Sequence, residues 1–268
     1  MGRYTSAVPA HLARRRGPAR EGKRKPLKDE IAILIAAGKG ERMRPLTLTT
    51  PKPLVEVGGT PMIETMIAGL RRRGVRRIYV TVGHLREQFA YLPEKYDGLS
   101  LIENPDYRTV NNISSIYAAR EVFGSADGFV CEADIFVADP SIFDARLERS
   151  CYFGKMVAGH SDDWVFDQDA AGRITRVGKA GDDRYNMCGV CYLKAADAQV
   201  VAAATAEACR HPGTFEGLYW DEIVDRCLDR IDLSVHPVGA DQVVEIDTVA
   251  ELEAVRARLA RLPQGDRT

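Results

Sequence analysis

Ile31-Ala32-Ile33-Leu34-Ile35-Ala36-Ala37-Gly38-Lys39-Gly40-Glu41-Arg42-Met43-Arg44-Pro45-Leu46-Thr47 carries a continuous apolar run straight into a loop rich in glycine and arginine. The apolar half, Ile31 to Ala36, shows no polar alternation, which predicts a strand buried on both faces, as in a parallel sheet. In the loop half, Gly38 and Gly40 lack a Cβ. They permit positive φ and close backbone approach, so amide N–H groups can converge on phosphate oxygens. Lys39, Arg42 and Arg44 add positive charge. Thr50-Pro51-Lys52-Pro53-Leu54 follows, and its two prolines stiffen the backbone around Lys52, which suits a lysine held at one point of a site. Such a loop at the carboxyl end of a buried strand stands where open α/β sheets bind ligands.

Working outward, the first half alternates strand and helix patterns. Pro61 to Arg73 places Ile63, Met66, Ile67 and Leu70 at helical spacing, with Pro61 at the start and Gly74 as the stop. Arg77 to Val82, Leu99 to Ile102 and Gly128 to Glu132 read as strands. Leu85 to Tyr91 and Ile113 to Phe123 read as helices, with Asn112 placed to cap the second. The alternation implies parallel pairing with right-handed crossovers. In the second half, Tyr152 to Ala158, Trp164 to Gln168, Ile174 to Val177 and Met187 to Leu193 read as shorter strands split by turn-rich stretches such as Ser161 to Asp163 and Gly181 to Asp183. Helices are expected at Ala195 to Cys209 and Leu218 to Leu228. A strand near Val243 to Ile246 and a helix from Thr248 to about Leu262 close the chain. The fold class is therefore α/β: a Rossmann-like, mostly parallel central sheet with flanking helices, and a smaller mixed part that covers a substrate. The expected organisation is a disordered basic tail over 1–27, a single domain over 28–262, and a disordered C-terminus over 263–268.

Composition narrows the function. With 45% hydrophobic and 28% charged residues, the chain can bury a sizeable core, and a net charge of −1 argues against nucleic acid as a partner. No apolar run is long enough to span a bilayer. The first 28 residues hold nine Arg and Lys against the single acid Glu21, a block that reads as a solvated tail; an arm that touches nucleic acid, an acidic membrane surface or a partner, and an Arg-rich organellar targeting peptide, are the alternatives. Six cysteines include one C-x-x-C, Cys188 and Cys191, with no second pair and no nearby His, so buried thiols are expected rather than zinc. Without a signal-peptide pattern, the expected compartment is the cytoplasm.

The loop is neither of the common nucleotide fingerprints. A dinucleotide site would need a third glycine where Met43 stands, and an acid at the end of the second strand, where the chain reads Thr81-Val82-Gly83-His84. A phosphate-binding P-loop pattern is absent. Instead, Ala36 to Lys52 resembles the signature of the sugar-phosphate nucleotidyltransferase superfamily, G-x-G-x-R followed by P-K-P. Further pieces are similar to one branch, the bacterial choline-phosphate cytidylyltransferases: Val82 to Phe89, Asn111-Asn112-Ile113-Ser114-Ser115-Ile116-Tyr117, Glu132-Ala133-Asp134, Leu218-Tyr219-Trp220-Asp221 and Glu245-Ile246-Asp247-Thr248. The resemblance spans about residues 30 to 260.

The resemblance implies attack by an acceptor phosphate oxygen on the α-phosphorus of CTP, with release of pyrophosphate. Both reactants are anions. Two unit charges about 4 Å apart repel by about 4 kcal/mol at an effective dielectric near 20, so fixed cations and a divalent metal, Mg²⁺, are expected. By family likeness, Asp134 and Asp247 hold the metal, Arg42 holds the β- and γ-phosphates, and Lys52 stabilises charge at the α-phosphate. For Asp247, the residues alone leave a helix-cap role open. Ala37, Gly38, Gly40, Arg42, Gly83, Asn112 and Ser114 are the expected nucleotide contacts, with Asn112 equally placed to cap a helix. His84 is assigned no catalytic role, and no general base is needed because the acceptor is already ionised. Trp164, Tyr192, Trp220 and Asp221 are the expected acceptor contacts, drawn from a wider set that includes Tyr185, Tyr219, Asp162, Asp163, Asp182 and Asp183. Aromatic faces with carboxylates suit a cationic head group. Tyr192-Leu193 departs from the aromatic pair of the choline enzymes, which extends the expected acceptors to phosphoethanolamine and aminoalkylphosphonates.

The alternatives are a sugar-1-phosphate pyrophosphorylase using UTP or dTTP, and a non-catalytic nucleotide-sensing module on the same fold. The joint presence of Arg42, Lys52, Asp134 and Asp247 argues against the latter. The sequence leaves a homo-oligomer open.

Overall fold

A computed structural model describes residues 29–261; the expected tail and C-terminus lie outside them. In chain order, the strands are β1 (Ile31–Ala36), β2 (Glu56–Val57), β3 (Thr60–Pro61), β4 (Arg77–Val82), β5 (Leu99–Glu103), β6 (Gly128–Glu132), β7 (Ile135–Val137), β8 (Ser150–Gln168), β9 (Ile174–Leu193), β10 (Leu233–Pro237) and β11 (Val243–Glu245). The α-helices are α1 (Met62–Arg73), α2 (Tyr91–Lys95), α3 (Ile113–Ala118), α4 (Ala195–Ala208), α5 (Trp220–Asp225) and α6 (Val249–Arg261). Seven strands form the main sheet in the order β10-β8-β9-β6-β1-β4-β5. β5, β4, β1 and β6 run parallel, whereas β9 enters antiparallel to both β6 and β8. The chain leaves β1 toward β4 and β5, then returns to the other side of β1 as β6. That reversal opens a crevice at the carboxyl ends of β1 and β6, where α/β sheets bind ligands.

The uninterrupted apolar run of β1 is explained by burial on both faces. Ala32, Leu34 and Ala36 pack into one core cluster with Ile63, Met66, Ile67 and Leu70 of α1. Ile33 packs into a second, with Ile113 and Ile116 of α3 and Val201 of α4. Each of the buried Leu, Ile, Val and Met side chains among them contributes about 1.5–3 kcal/mol. α1 ends at Gly74, whose φ of 100° is the left-handed stop that the sequence suggested. Met43 sits in a third cluster with Val55, Met62, Phe136, Ile246 and Leu252, so the residue standing where a third glycine would be anchors the loop to the body.

Several expectations need correction. Leu85 to Tyr91 is not one helix. Leu85 has a positive φ of 50°, a 3₁₀ turn covers Arg86–Phe89, and α2 begins only at Tyr91. The helix expected to Phe123 stops at Ala118, because i→i+3 bonds such as Val122 N to Ala119 O tighten the chain into turns. The four short strands of the second half are two long bent ones, β8 and β9. The stretches read as breaks are register shifts, aided by positive φ at Gly159, Ala180 and Asp183. No helix among the described residues is long and apolar enough to cross a membrane.

Candidate active site

A cleft of about 930 Å³ opens at the carboxyl ends of β1 and β6. The loop after β1 forms one wall and the bent β8–β9 ribbon the other. Gly38 faces open space, while Gly40 adopts a φ of 60° and has no room for a side chain. A Cβ there would lie 2.9 Å from Lys52 Cβ and 2.9 Å from Thr47 Cγ2. Thr47 Oγ donates to the Gly40 carbonyl at 2.8 Å, and His84 Nε2 meets the Thr47 carbonyl at 2.8 Å. His84 thus ties the loop to the end of β4.

At the floor, Lys52 Nζ donates to Asp134 Oδ2 and to Asp247 Oδ1, each at 2.7 Å, and Arg42 pairs with the other Asp247 oxygen at 2.9 Å. These four residues come from three connections: Arg42 and Lys52 from the one between β1 and β2, Asp134 from the one between β6 and β7, and Asp247 from the one after β11. Burial disfavours the Lys52 charge, but the Asp134 and Asp247 carboxylates outweigh it and push the ammonium up to about 12. For Asp247 burial acts in the opposite direction to Lys52, which prevails and holds the carboxyl below its ordinary value. The helix-cap alternative for Asp247 is resolved by its neighbour. Glu251 accepts from the Asp247 and Thr248 amides at 2.8 Å, and the Thr248 hydroxyl accepts from Glu251 N, leaving the Asp247 side chain free to face the cleft.

Negative charge exceeds positive charge here. Glu132 is pushed well above its ordinary value by burial and by Asp134, Asp221 and Glu245. Glu245 is raised to about 7 by burial, Asp247, Asp163 and Asp134. Such an oxygen-only, over-negative donor set fits a hard divalent cation. Among the described residues, no group of three or more His, Cys, Asp or Glu side chains is arranged as a complete metal cage. Asp134 and Asp247 therefore fit a cation whose other ligands are phosphate oxygens and water.

On the nucleotide side, Ala37, Gly38, Gly40, Asn112 and Ser114 all line the cleft. Ser114 Oγ donates to the Asn111 carbonyl and accepts from Asn104 Nδ2, both at 2.8 Å. Asn112 makes no side-chain cap bond to α3. Its Oδ1 accepts from Trp220 N at 2.9 Å and ties this wall to α5. Gly83 does not line the cleft. It lies under Tyr107, whose ring atoms leave 2.6 Å for a Cβ, so Gly83 serves to let Tyr107 approach. Neither Tyr107 nor Asn104 was anticipated, since an isolated Tyr or Asn in a loop carries no sequence signal.

The acceptor expectations divide. Trp164 and Asp221 line the cleft, with Asp162, Asp163 and Tyr219 beside them. Asp221 is 2% exposed, is raised to about 7 by burial, and accepts a hydrogen bond from Tyr152 at 2.8 Å. Trp220 is displaced from its expected role. It packs in the core against Tyr152 and touches only a small void behind the cleft with Glu132 and Asp221. Tyr192 is also displaced. The β6–β9 register turns it to the other face of the sheet, where it packs on Phe129 and its hydroxyl donates to Glu30 at 3.0 Å. Gly189 and Lys179 line the cleft unforeseen. Gly189 has a φ of 61° and no space for a Cβ, which would meet Ile135 Cδ1 at 2.1 Å. Lys179 Nζ lies 5.8 Å from the Trp164 ring centroid and 5.9 Å from that of Tyr219.

The sequence matches the MobA-like NTP transferase domain over residues 32–230. It is similar to the 2-aminoethylphosphonate cytidylyltransferase of Lancefieldella rimae, with 52% identity covering 83% of this chain and 90% of that one. It is also similar to the choline-phosphate cytidylyltransferase of Streptococcus pneumoniae, at 34% identity over 82% of this chain and 94% of that one. The solved structure of CTP:phosphocholine cytidylyltransferase from Streptococcus pneumoniae matches with a TM-score of 0.79 and 32% identity, covering 86% of this chain and 99% of that one.

Proposed function

Because the chain belongs to the MobA-like NTP transferase family and to its cytidylyltransferase branch, we propose that its cleft transfers CMP from CTP to a small phosphonate or phosphate, with an aminoalkylphosphonate of the 2-aminoethylphosphonate type as the preferred acceptor. The observation that carries the reading is the convergence of Arg42, Lys52, Asp134 and Asp247 beneath the glycine loop. An acceptor oxygen forms a new bond to the α-phosphorus of CTP, the bond from that phosphorus to the β-bridging oxygen breaks, and pyrophosphate leaves. The acceptor oxygen is ionised, so no proton need be removed.

Each residue then has a task. The Ala37 to Gly40 backbone receives the nucleotide phosphates. Arg42 pairs with the leaving β- and γ-phosphates, and Lys52 stabilises charge at the α-phosphate. Ser114 and Asn112 face the base. Asp221 and Trp164 receive the acceptor, whose ammonium suits the carboxylates on that side of the cleft. Asp134 and Asp247 would hold Mg²⁺, which when bound neutralises charge on the transferring group. Six free cysteines support a reducing compartment such as the cytoplasm.

The test is pyrophosphate release with Mg²⁺, CTP, UTP or dTTP, and a panel of 2-aminoethylphosphonate, phosphoethanolamine, phosphocholine and glucose 1-phosphate. We expect release with CTP and an amine-bearing acceptor. Release only with UTP or dTTP and the sugar phosphate would replace this reading with a pyrophosphorylase.

A further inference from the structure

Two lysines of the described cleft, Lys39 and Lys179, have no side-chain task in the proposed reaction; Lys39 donates to the Arg108 carbonyl at 3.5 Å, and Lys179 stands on the acceptor side. Lys52 is clasped by Asp134 and Asp247, and Arg42 pairs with Asp247. Among the described residues, the Lys179 ammonium has no carboxylate at ion-pair distance, although Asp162 and Asp163 line the same cleft. Its neighbours are two aromatic rings. Trp164 and Tyr219 stand edge to face with centroids 5.5 Å apart, and Nζ lies within 6 Å of both.

The ribbon builds this placement. Trp164 and Lys179 are direct cross-strand partners. Arg176 donates to the Lys179 carbonyl at 3.2 Å and to the Ala180 carbonyl at 3.0 Å, while Asp167 holds Arg176 at 2.6 Å and Arg184 at 2.9 Å. Gly178 leaves room for the Arg176 guanidinium, since a Cβ there would lie 2.4 Å from its Nη1. The strand segment bearing Lys179 is thus held by the Arg176–Asp167–Arg184 network through backbone carbonyls, which leaves the Lys179 ammonium out of that network.

Two aromatic faces form the environment that a quaternary ammonium needs, because it has no N–H to donate and is held by ring faces. Here a lysine already stands at those faces, and a second cation beside it would meet like charge. A primary ammonium has a different option, since its three N–H groups can donate to carboxylates. Asp163 and Asp221 provide them on the same side of the cleft. Resting on the cytidylyltransfer reading, we infer that Lys179 is a specificity residue: it closes the Trp164–Tyr219 pair to quaternary ammonium groups and restricts the acceptor to primary-amine phosphonates and phosphates.

The test compares acceptors that differ only in N-methylation: phosphoethanolamine with phosphocholine, and 2-aminoethylphosphonate with its trimethylammonio analogue. Wild type, Lys179→Met and Lys179→Arg are assayed for pyrophosphate release with CTP and Mg²⁺, and CTP binding is measured by calorimetry for each. Lys179→Met should raise kcat/KM for the trimethylated acceptors by about tenfold or more and change the primary amines by no more than about threefold, with Lys179→Arg keeping the wild-type preference. An unchanged ratio in a Lys179→Met protein that still binds CTP overturns the inference and leaves cytidylyltransfer standing. Equal loss with all four acceptors also overturns it, because Lys179 would then grip the common phosphoryl group. Absence of release by wild type with every acceptor overturns both readings.

Discussion

Lys52 donates to two carboxylates at the cleft floor, and its position follows from its flanking prolines and from Gly40 packed against its Cβ. If it meets charge that develops only during transfer, Lys52→Ala should lower kcat by about 10²- to 10³-fold. Steady-state kinetics checks this: a change confined to KM would assign Lys52 to ground-state binding. Much of this residue-level pattern was legible. The loop composition singled out Gly38, Gly40, Arg42 and Lys52, whereas Asp134 and Asp247, which on position alone could be cap or turn residues, were singled out by the family resemblance. The capping role of Thr248 was missed: the residues left the cap open at Asp247, although Thr248-Val249-Ala250-Glu251 is a capping-box pattern. Tyr192 and Trp220 misled because an aromatic side chain's face is set by strand register and helix rotation, which composition does not give. Lys179 was missed because its meaning lies in a cross-strand partner, Trp164, on another strand.

At the scale of elements, α1 and α2 are joined through Glu64. This nearly buried carboxylate accepts from the Tyr91 hydroxyl at 2.8 Å and the Tyr96 hydroxyl at 2.7 Å, and pairs with Lys95. Burial alone would raise its pKa, but the bonds from Lys95, Tyr96 and Tyr91 prevail and hold it below the ordinary 4.5. The unfolded chain therefore binds this proton more readily than the folded one. The stabilisation is complete above the unfolded value and lost as pH falls through the depressed folded value. Glu64→Gln should cost about 1–2 kcal/mol at neutral pH, and its deficit relative to wild type should shrink below about pH 4. Urea melts at several pH values check this, and a deficit that does not change with pH contradicts it. The parallel strands and α1 were legible because their burial periodicity is strong. The β8–β9 ribbon was read as four pieces because its bends at Gly159, Ala180 and Asp183 resemble turns locally, while the pairing that makes it continuous is long-range.

For the whole molecule, the order β5-β4-β1-β6 opens one crevice, and the antiparallel β9 carries Lys179 and Gly189 to its acceptor side. The third core cluster joins Met43 of the phosphate loop to Leu252 of α6, so the phosphate loop and the last helix share one core. The motifs for this arrangement were spread across most of the sequence, which is why the family and its cytidylyltransferase branch were readable before the fold. The central claim is that Asp134 and Asp247, both bonded to Lys52, make this cleft a cytidylyl-transfer centre. Pyrophosphate release from CTP and 2-aminoethylphosphonate tests it directly when wild type is run beside Asp134→Asn and Asp247→Asn, with circular dichroism confirming the fold. The account predicts release by wild type and none by either variant at unchanged fold; normal release by either variant would contradict it.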